Sequence, residues 1–392
     1  MKFICYVFFS TILINPSLSQ HFVVNKYYSG TQLLREKYVV KMNGKDTVKD
    51  GNYQFFFQNG VVYQQGKIKN NQLDSTWVIN YYSGRTKAIY TYSNNRRNGK
   101  FMLYREDGTR EKEGTHKNDS IDGTVKEYYD LDILESVSEY VNGKLHGKSV
   151  GYHANKNLRY ECMYLNGKMN GSFKQYYDNG NINYLGTKKD DSYDDTLYVY
   201  FKTGIVQRVC YYQLGKLQGV YKTYFPSGKP EIIANYDNDR LNGTFKIYFE
   251  SGNLSEYGNY TNGKREGKWL AYYPDSKKFS EGYFKDDYLD GEWIIYYSNG
   301  IKKQQGNFHH GKSYGYWLFY HTNGIPNFVG MLIDDKKQGI WKEYDNTGRL
   351  LSFENFNNAV ERGPKWLFLS NGSVQKSYTL KIAYASLFLG EK

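Results

Sequence analysis

Aromatic, small and polar residues recur along the chain with a fixed period of 24 residues. We number the glycine that opens each period as position 0. An aromatic residue occupies position 2 in ten of fourteen periods, and tyrosine occupies position 5 in eleven. Two registers hold Ser75 and Asp195 in place of glycine, and the residues around them keep the pattern. The opening glycines are Gly51, Gly99, Gly123, Gly147, Gly171, Gly219, Gly243, Gly267, Gly291, Gly315, Gly339 and Gly363. Self-similarity at this spacing indicates a repeat array in place of two or three globular domains.

Each period predicts one β-hairpin. In DGEWIIYYSNG, residues 290–300, the apolar and aromatic run predicts the first strand. Asn-Gly or Ser-Gly at positions 8 and 9 predicts a tight turn, because these residues tolerate positive φ. The second strand carries a small residue at position 15 and an aromatic residue at position 17. A further turn, such as TNGKREG at 261–267, leads into the next period.

Stacking of these hairpins predicts the fold class. A single hairpin is unstable in water, so neighbours must stack until their apolar surface is continuous. We therefore expect an all-β protein, an elongated solenoid-like array of stacked β-hairpins with one per 24-residue repeat. Strict alternation cannot place positions 2 and 5 on one face, so either a bulge intervenes or both faces carry aromatic residues. The composition, with 43 Tyr, 22 Phe and 39 Gly, favours strands and turns over helices.

The repeat consensus also resembles a known family. The pattern G-x-W-x-x-Y-Y-x-N-G, followed by a spaced Gly and N-G-K-x-x-G, resembles the MORN repeat in the variant form of YwqK-type antitoxin-like bacterial proteins. The resemblance covers residues 51–372 and, more loosely, residues 27–51. It implies a sheet-like scaffold used for protein contacts and sometimes for lipid contacts. The antitoxin label implies neutralisation of a partner toxin.

The two ends of the chain depart from the repeat. Residues 1–19 predict a secretory signal peptide, because Lys2 precedes the apolar run FICYVFFSTILI and small residues near Ser19 suit cleavage. The alternative is an uncleaved membrane anchor, although the run is short of the roughly 20 residues that a span requires. We expect an N-terminal cap with a partial repeat at residues 20–50, about fourteen repeats at residues 51–372, and a C-terminal capping strand at residues 373–392. The expected location is secreted or periplasmic.

Candidate catalytic and metal-binding residues do not form a recognisable constellation. The GKSYG segment around Ser313 has the spacing of a nucleophile elbow, but it falls in a predicted turn between repeats and not at a strand-to-helix turn. His153 and His321 occupy position 6, where most periods have Tyr or Phe, and so act as aromatic substitutes. Adjacent His309 and His310 should point to opposite faces of a strand, which is poor metal geometry. We expect no enzymatic activity, cofactor, metal or small-molecule substrate.

The cysteines predict packing and not a disulfide. Cys5 lies in the predicted signal peptide, which leaves Cys162 and Cys210 in the mature chain. Both occupy position 15, two periods apart, so strand spacing places them roughly 19 Å from each other. Disulfide-bonded Cα atoms lie within about 7 Å. We expect both residues to serve as small packing residues.

Positive charge recurs at one position. The formal net charge is +12, and position 21 is basic in eight of thirteen periods. Stacking would turn this column into a basic ladder that meets an anionic polymer, an acidic protein or anionic lipid. Alternatively, these are solvated turn residues whose charge discourages aggregation. The candidate ladder consists of Arg96, Lys144, Lys168, Lys216, Arg240, Lys264, Lys312 and Lys336.

These patterns predict an exported, non-enzymatic repeat scaffold that mediates protein–protein interaction along an extended β surface. One alternative is an envelope-surface module that binds anionic lipid or glycan through the basic ladder, and another is an antitoxin-like or immunity-like neutraliser of a toxin. Exposed aromatic residues beside the ladder would favour lipid or glycan, whereas a large uncharged apolar patch would favour a protein partner. Nucleic acid is not an expected partner, because the chain is predicted to be exported and has no known nucleic-acid-binding motif.

Overall fold

The protein is all-β. The computed structural model describes residues 20–377, so the predicted signal peptide and residues 378–392 of the predicted C-terminal cap lie outside the described part. The described residues divide into two compact units: the N-terminal unit contains residues 20–194 and 202–204, and the C-terminal unit contains residues 195–201 and 205–377. Within the described residues, the helical content is one 3-10 turn at Asp130–Asp132. The predicted fold class, an array of hairpins matching the repeat, is confirmed.

In the N-terminal unit the strands form an antiparallel meander in chain order, in which β8 pairs with both β9 and β10. Its strands are β1 His21–Tyr27, β2 Leu34–Asn43, β3 Asp46–Phe56, β4 Val62–Lys69, β5 Gln72–Asn80, β6 Thr86–Ser93, β7 Arg96–Tyr104, β8 Arg110–Lys117, β9 Ser120–Ile121, β10 Gly123–Tyr128, β11 Leu134–Val141, β12 Lys144–Tyr152, β13 Leu158–Leu165, β14 Lys168–Tyr176, β15 Ile182–Lys189 and β16 Ser192–Tyr193.

The C-terminal unit repeats this antiparallel arrangement, with β30 pairing to both β31 and β32. Its strands are β17 Asp195–Tyr200, β18 Val206–Gln213, β19 Lys216–Tyr224, β20 Pro230–Asp237, β21 Arg240–Tyr248, β22 Leu254–Thr261, β23 Lys264–Tyr272, β24 Lys278–Lys285, β25 Tyr288–Tyr296, β26 Lys302–His309, β27 Lys312–Tyr320, β28 Pro326–Ile333, β29 Lys336–Tyr344, β30 Leu350–Asn357, β31 Val360–Glu361, β32 Lys365–Phe368 and β33 Val374–Ser377.

Two kinds of turn alternate along the array. At positions 8 and 9 the turn lies where the sequence predicts it, but only the glycine is left-handed: Gly300 has φ +86° and donates to the carbonyl of Tyr297 at 2.8 Å. The turn at positions 19 and 20 has positive φ at both residues, as at Asp286 (+51°) and Asp287 (+72°). Two consecutive positive φ angles define the two-residue hairpin turn that matches strand twist. The paired left-handed residues that the sequence placed at positions 8 and 9 therefore occur at positions 19 and 20.

The opening glycine lies inside a strand, at an irregularity in the pairing. Gly291 has φ +106° and sits where the pairing register between β24 and β25 shifts. Ser75 and Asp195 adopt the same left-handed backbone, with φ +59° and +73°. Because this conformation costs glycine least, the bulge explains why glycine dominates position 0.

Positions 2 and 5 lie on opposite faces of the sheet. Trp293 pairs with Gly306, and the register shift next to Tyr296 leaves Lys303 of the partner strand out of the pairing. The bulge thus lies on the second strand and does not reorient Tyr296. The sequence left two alternatives, a bulge that places positions 2 and 5 on one face or aromatic residues on both faces, and the second is correct. We call the face with positions 2, 4, 15, 17 and 22 the Trp face, and the face with positions 1, 3, 5, 14 and 16 the Tyr face.

The core lies on the Trp face, where tryptophan covers glycine. A Cβ built on Gly258 would lie 2.2 Å from ring atoms of Trp269, so only glycine fits beneath the indole. The ring is also packed edge-on against the position 17 residue Phe284, with centroids 5.8 Å apart. Where position 15 is larger, the ring opposite is smaller, as at Ala234 and Phe245. The five glycine–tryptophan pairs are Gly66–Trp77, Gly258–Trp269, Gly282–Trp293, Gly306–Trp317 and Gly330–Trp341.

Candidate binding surface

The basic ladder lies at the starts of strands. All eight predicted residues are the first residue of a strand and are exposed, three in the N-terminal unit and five in the C-terminal unit. The expectation that they lie in turns is wrong, because the two-residue turn ends at position 20 and pairing resumes at position 21, as between Thr261 and Lys264. Other residues interrupt the column, among them Tyr288 in the C-terminal unit.

Part of the ladder charge is neutralised locally. The ammonium of Lys264 lies 3.1 Å from Asp286, and that of Lys312 lies 3.9 Å from Asp334, one period further on at position 19. These side chains are exposed, and exposed ion pairs contribute roughly 0–1 kcal/mol. The pairs therefore add little stability but reduce the positive potential at these two positions.

A continuous uncharged apolar patch lies on the Tyr face of β27 and β28. Tyr314 pairs with Ile333, and Tyr316 pairs with Met331, so their side chains lie side by side. Tyr314, Ile333 and Tyr316 are 57%, 41% and 64% exposed. Ile340, 55% exposed, extends the surface onto β29. We call this surface, formed by Tyr314, Tyr316, Leu318, Val329, Met331, Ile333 and Ile340, the apolar patch.

Equivalent positions in most other repeats are polar or charged, although single exposed apolar residues such as Val220 occur at some of them. Position 1 is Lys268 on β23 and Glu292 on β25, and the position 16 residue opposite Glu292 is Asn307. Repetition of the fold therefore does not require apolar residues here. Sequence reasoning missed the patch because its members come from different periods and become neighbours only through cross-strand pairing.

The Tyr face also carries charged tyrosine–glutamate clusters. The hydroxyl of Tyr296 donates to Glu281 at 2.6 Å, and Lys268 lies 3.0 Å from the same carboxylate. Burial raises the pKa of Glu281, but the hydrogen bonds from Tyr296, Lys268 and Lys278 outweigh it and lower the pKa to about 2. Burial and the bond to Glu161 raise the pKa of Tyr176 in the corresponding cluster to about 12. A carboxylate held so firmly in its charged form stabilises the sheet and is poorly suited to proton transfer.

Position 6 connects successive repeats. The hydroxyl of Tyr297 donates to the carbonyl of Tyr320 at 2.8 Å. Nε2 of His321 lies 2.9 Å from the carbonyl of Tyr344 in the same arrangement, and His153 does likewise in the N-terminal unit. The interpretation of these histidines as substitutes for tyrosine is confirmed.

Ser313 is a packing residue. It is buried as the second residue of β27, and its hydroxyl donates to Asp335 at 2.8 Å. The prediction that Ser313 lies in a turn is therefore wrong: the turn ends at Gly311, and Ser313 lies two residues later, within the strand. The strand-to-helix turn of a nucleophile elbow does not occur here.

The side chains of His309 and His310 lie next to each other, whereas strand alternation predicted that they lie on opposite faces of the sheet. His310 begins the two-residue turn with φ +48°, and the two rings lie 4.5 Å apart between centroids. Alternation applies only while the backbone is extended, and the left-handed turn ends it. Asp290 completes a group in which one ligand atom from each residue lies within 4.8 Å of the others.

Both cysteines described in the structure are free and buried. Cys162 is 5% exposed and Cys210 is 1% exposed. Burial raises the pKa of both thiols, which keeps them protonated. Their predicted role as small packing residues on the Trp face is confirmed.

The described part of the chain, residues 20–377, contains no helix of the length and apolar character needed to span a membrane. No curated protein shows detectable similarity to the chain.

Comparison with known families identifies the repeat. The profile of the MORN repeat variant family matches seven segments, in register with the hairpins described above. The matched segments are residues 49–70, 145–166, 169–188, 217–238, 241–262, 265–286 and 289–310. Such repeats are as a rule non-catalytic. The protein is thus a MORN repeat variant protein, whose hairpins each correspond to one 24-residue repeat.

Proposed function

We propose that the protein is a non-enzymatic scaffold that binds a protein partner through the apolar patch. The observation that carries the proposal is the exposure of several neighbouring apolar residues here, at positions where most other repeats have polar residues. Contiguous exposed apolar surface on a soluble fold marks an interaction site. Tyrosine suits such a site because it contributes large area with few rotatable bonds.

Charge at the edge of the patch defines the chemistry of the partner. Lys312 and Lys336 begin β27 and β29, and both are exposed. Lys336 pairs with Ile333, and Tyr314 follows Lys312 by two residues on the same face. An apolar centre with a charged rim is the usual anatomy of a protein interface. The partner therefore presents apolar side chains surrounded by acidic groups.

Capture from cell extract with matched variants tests the proposal. The test variant combines Tyr316→Thr and Ile340→Thr, since threonine occurs naturally at position 1, as at Thr244. The control is Val220→Thr, which removes an exposed residue (48%) at the same position outside the patch. We expect a partner to be enriched by the unmodified protein and the control, and at least tenfold less by the test variant. Equal enrichment by all three proteins would contradict the proposal.

The basic rim has its own test. Lys312→Gln with Lys336→Gln should weaken partner binding and reduce its dependence on salt, because exposed charges are screened over roughly 8 Å at physiological ionic strength. Lys222→Gln with Lys246→Gln removes the same charge from position 3 of the same unit. Equal effects of the two pairs would show that only net charge matters.

Anionic lipid is the second candidate ligand. Its support is Tyr314 and Tyr316 beside Lys312, since exposed aromatic rings near cations suit a membrane interface. Vesicles with and without an anionic lipid distinguish the two candidates. Lipid is favoured if the protein binds only the anionic vesicles, if Tyr316→Thr loses this binding, and if no protein is enriched in the capture experiment.

We further propose that the protein is exported, on the basis of the signal-peptide pattern of residues 1–19. N-terminal sequencing of the mature chain tests this proposal. Neutralisation of a toxin is a special case of the protein-partner proposal.

A further inference from the structure

Asp290, His309 and His310 form a group with the chemistry of a metal site. One ligand atom from each of the three residues lies within 4.8 Å of the others. Nδ1 of His309 is 3.4 Å from Oδ2 of Asp290. Two ligands of a tetrahedral ion with bond lengths of about 2.0–2.1 Å lie roughly 3.4 Å apart, so this pair already has the required separation.

The backbone fixes two of the three residues. Oδ2 of Asp290 accepts the backbone N–H of His310 at 3.2 Å. Equivalent bonds occur at other turns of the C-terminal unit, for example from Asn262 to Asn242. The bond is therefore part of the fold, and it holds the carboxylate beside the turn that carries both imidazoles. What distinguishes this turn is that positions 18 and 19 are both histidine.

Local charge at the turn does not oppose a cation. At the turn that contains Asp286 at position 19, the neighbouring ladder residue is Lys264, whose ammonium pairs with the Asp286 carboxylate. At the corresponding place next to His310 the ladder residue is Tyr288, whose ring lies 6.3 Å from the imidazole. Lys312, opposite His309 in the hairpin, has its ammonium 3.9 Å from Asp334. That charge is thereby directed towards the following turn.

We propose that Asp290, His309 and His310 bind one divalent transition-metal ion, with Zn²⁺ as the reference ion. Two imidazoles and one carboxylate form a ligand set of borderline hardness that suits Zn²⁺ and its neighbours and disfavours Ca²⁺ and Mg²⁺. His309 and His310 are exposed, so the ion enters directly from solvent and small rotations of their rings bring the nitrogens to bonding distance. Three protein ligands leave the fourth tetrahedral position for water or a group from another molecule.

Zn²⁺ binding by the full, tag-free chain tests the site. Calorimetric or chelator-competition titration should give one saturable site per chain. His310→Asn is the sharpest variant, because asparagine occupies position 19 at most other turns and so preserves the turn. Asp290→Asn keeps an acceptor for the backbone bond, as Asn242 does. We expect each variant to weaken Zn²⁺ binding at least tenfold, and His309→Gln combined with His310→Asn to abolish it.

His321→Tyr is the matched control, because it removes one imidazole at a position where most periods have tyrosine or phenylalanine. Circular dichroism of each variant should match that of the unmodified protein, which would show that the variants are folded. Zn²⁺ should also raise the melting temperature of the unmodified chain and of the control, but not that of the double variant. Absence of saturable binding, or equal weakening by His321→Tyr and His310→Asn, would overturn the proposal.

Discussion

The glycine beneath each tryptophan should be essential to the core unless the ring above it is made smaller. In Gly258→Ala, the added methyl carbon would lie 2.2 Å from Cδ2 and Cε2 of Trp269, whereas carbon atoms in contact lie about 3.5–4.0 Å apart. The ring would have to move by roughly 1.3 Å. Tyr260 and Phe284 pack against it with centroids 5.3 and 5.8 Å away, which restricts that movement.

The expected cost follows from two opposing effects. Overpacking of this kind costs about 1–3 kcal/mol, and replacing a strand glycine by alanine regains about 0.5–1 kcal/mol. We expect Gly258→Ala to lower the free energy of unfolding by roughly 1–2 kcal/mol. Trp269→Phe alone should cost a similar amount, because complete removal of a buried tryptophan side chain costs about 3–5 kcal/mol. Within the described residues Nε1 of Trp269 has no hydrogen-bond acceptor, so phenylalanine leaves no new unpaired group.

The double variant reproduces the pair Ala234–Phe245 of the neighbouring repeat. It should come within about 1 kcal/mol of the unmodified protein, which corresponds to a favourable coupling of roughly 1–3 kcal/mol. Urea unfolding followed by circular dichroism gives the overall change, and hydrogen exchange of residues 254–272 reports local opening if the array does not unfold in one step. Strictly additive effects of the two substitutions would refute size matching between positions 15 and 2.

Three further predictions follow from the repeat and its clusters. The pKa of Glu281 is about 2 in the folded protein and lies below the ordinary value of 4.5, so the carboxylate's contribution to stability is complete above about pH 4.5 and is lost as the pH falls towards 2. The melting temperature of Glu281→Gln should therefore vary less with pH over this range than that of the unmodified protein. An equal pH dependence of the two melting temperatures would contradict the lowered pKa of Glu281. Cys162 and Cys210 should react with a maleimide only after unfolding, so rapid labelling of the native protein would show that they are accessible. Deletion of residues 219–242, one whole period, should leave a protein that is folded by circular dichroism and resists proteolysis, whereas deletion of residues 219–230 should not.

The sequence by itself determined the repeat and its hairpins. The glycine at position 0, the small residue at position 15 and the aromatic residues at positions 2, 5 and 17 recur without insertion through fourteen periods. These are local requirements of backbone angle and side-chain size, so they are visible along the chain. The substitution of histidine for tyrosine at His321 was predictable for the same reason.

Hydrogen-bond geometry decided what the sequence left open. Asn-Gly is common at positions 8 and 9, yet the turn with two left-handed residues lies at positions 19 and 20, where pairs such as Asp286 and Asp287 occur. Aspartate adopts positive φ less readily than glycine, and its side chain offsets the cost here by accepting a backbone N–H from the preceding repeat, as Asp287 does from Arg265 at 2.8 Å. That partner is 22 residues away and cannot be read from the turn itself.

The candidate sites depend on tertiary structure for the same reason. Tyr316 and Met331 become neighbours through the pairing of β27 with β28, and Asp290 meets His310 across a hairpin 20 residues long. Strand alternation suggested that His309 and His310 diverge, but a left-handed turn begins at the second of them and redirects its side chain. The sequence fixes which residues can form each hairpin. Which side chains share a surface is decided by pairing register, bulges and turns, because a shift of one residue moves a side chain to the opposite face of a sheet.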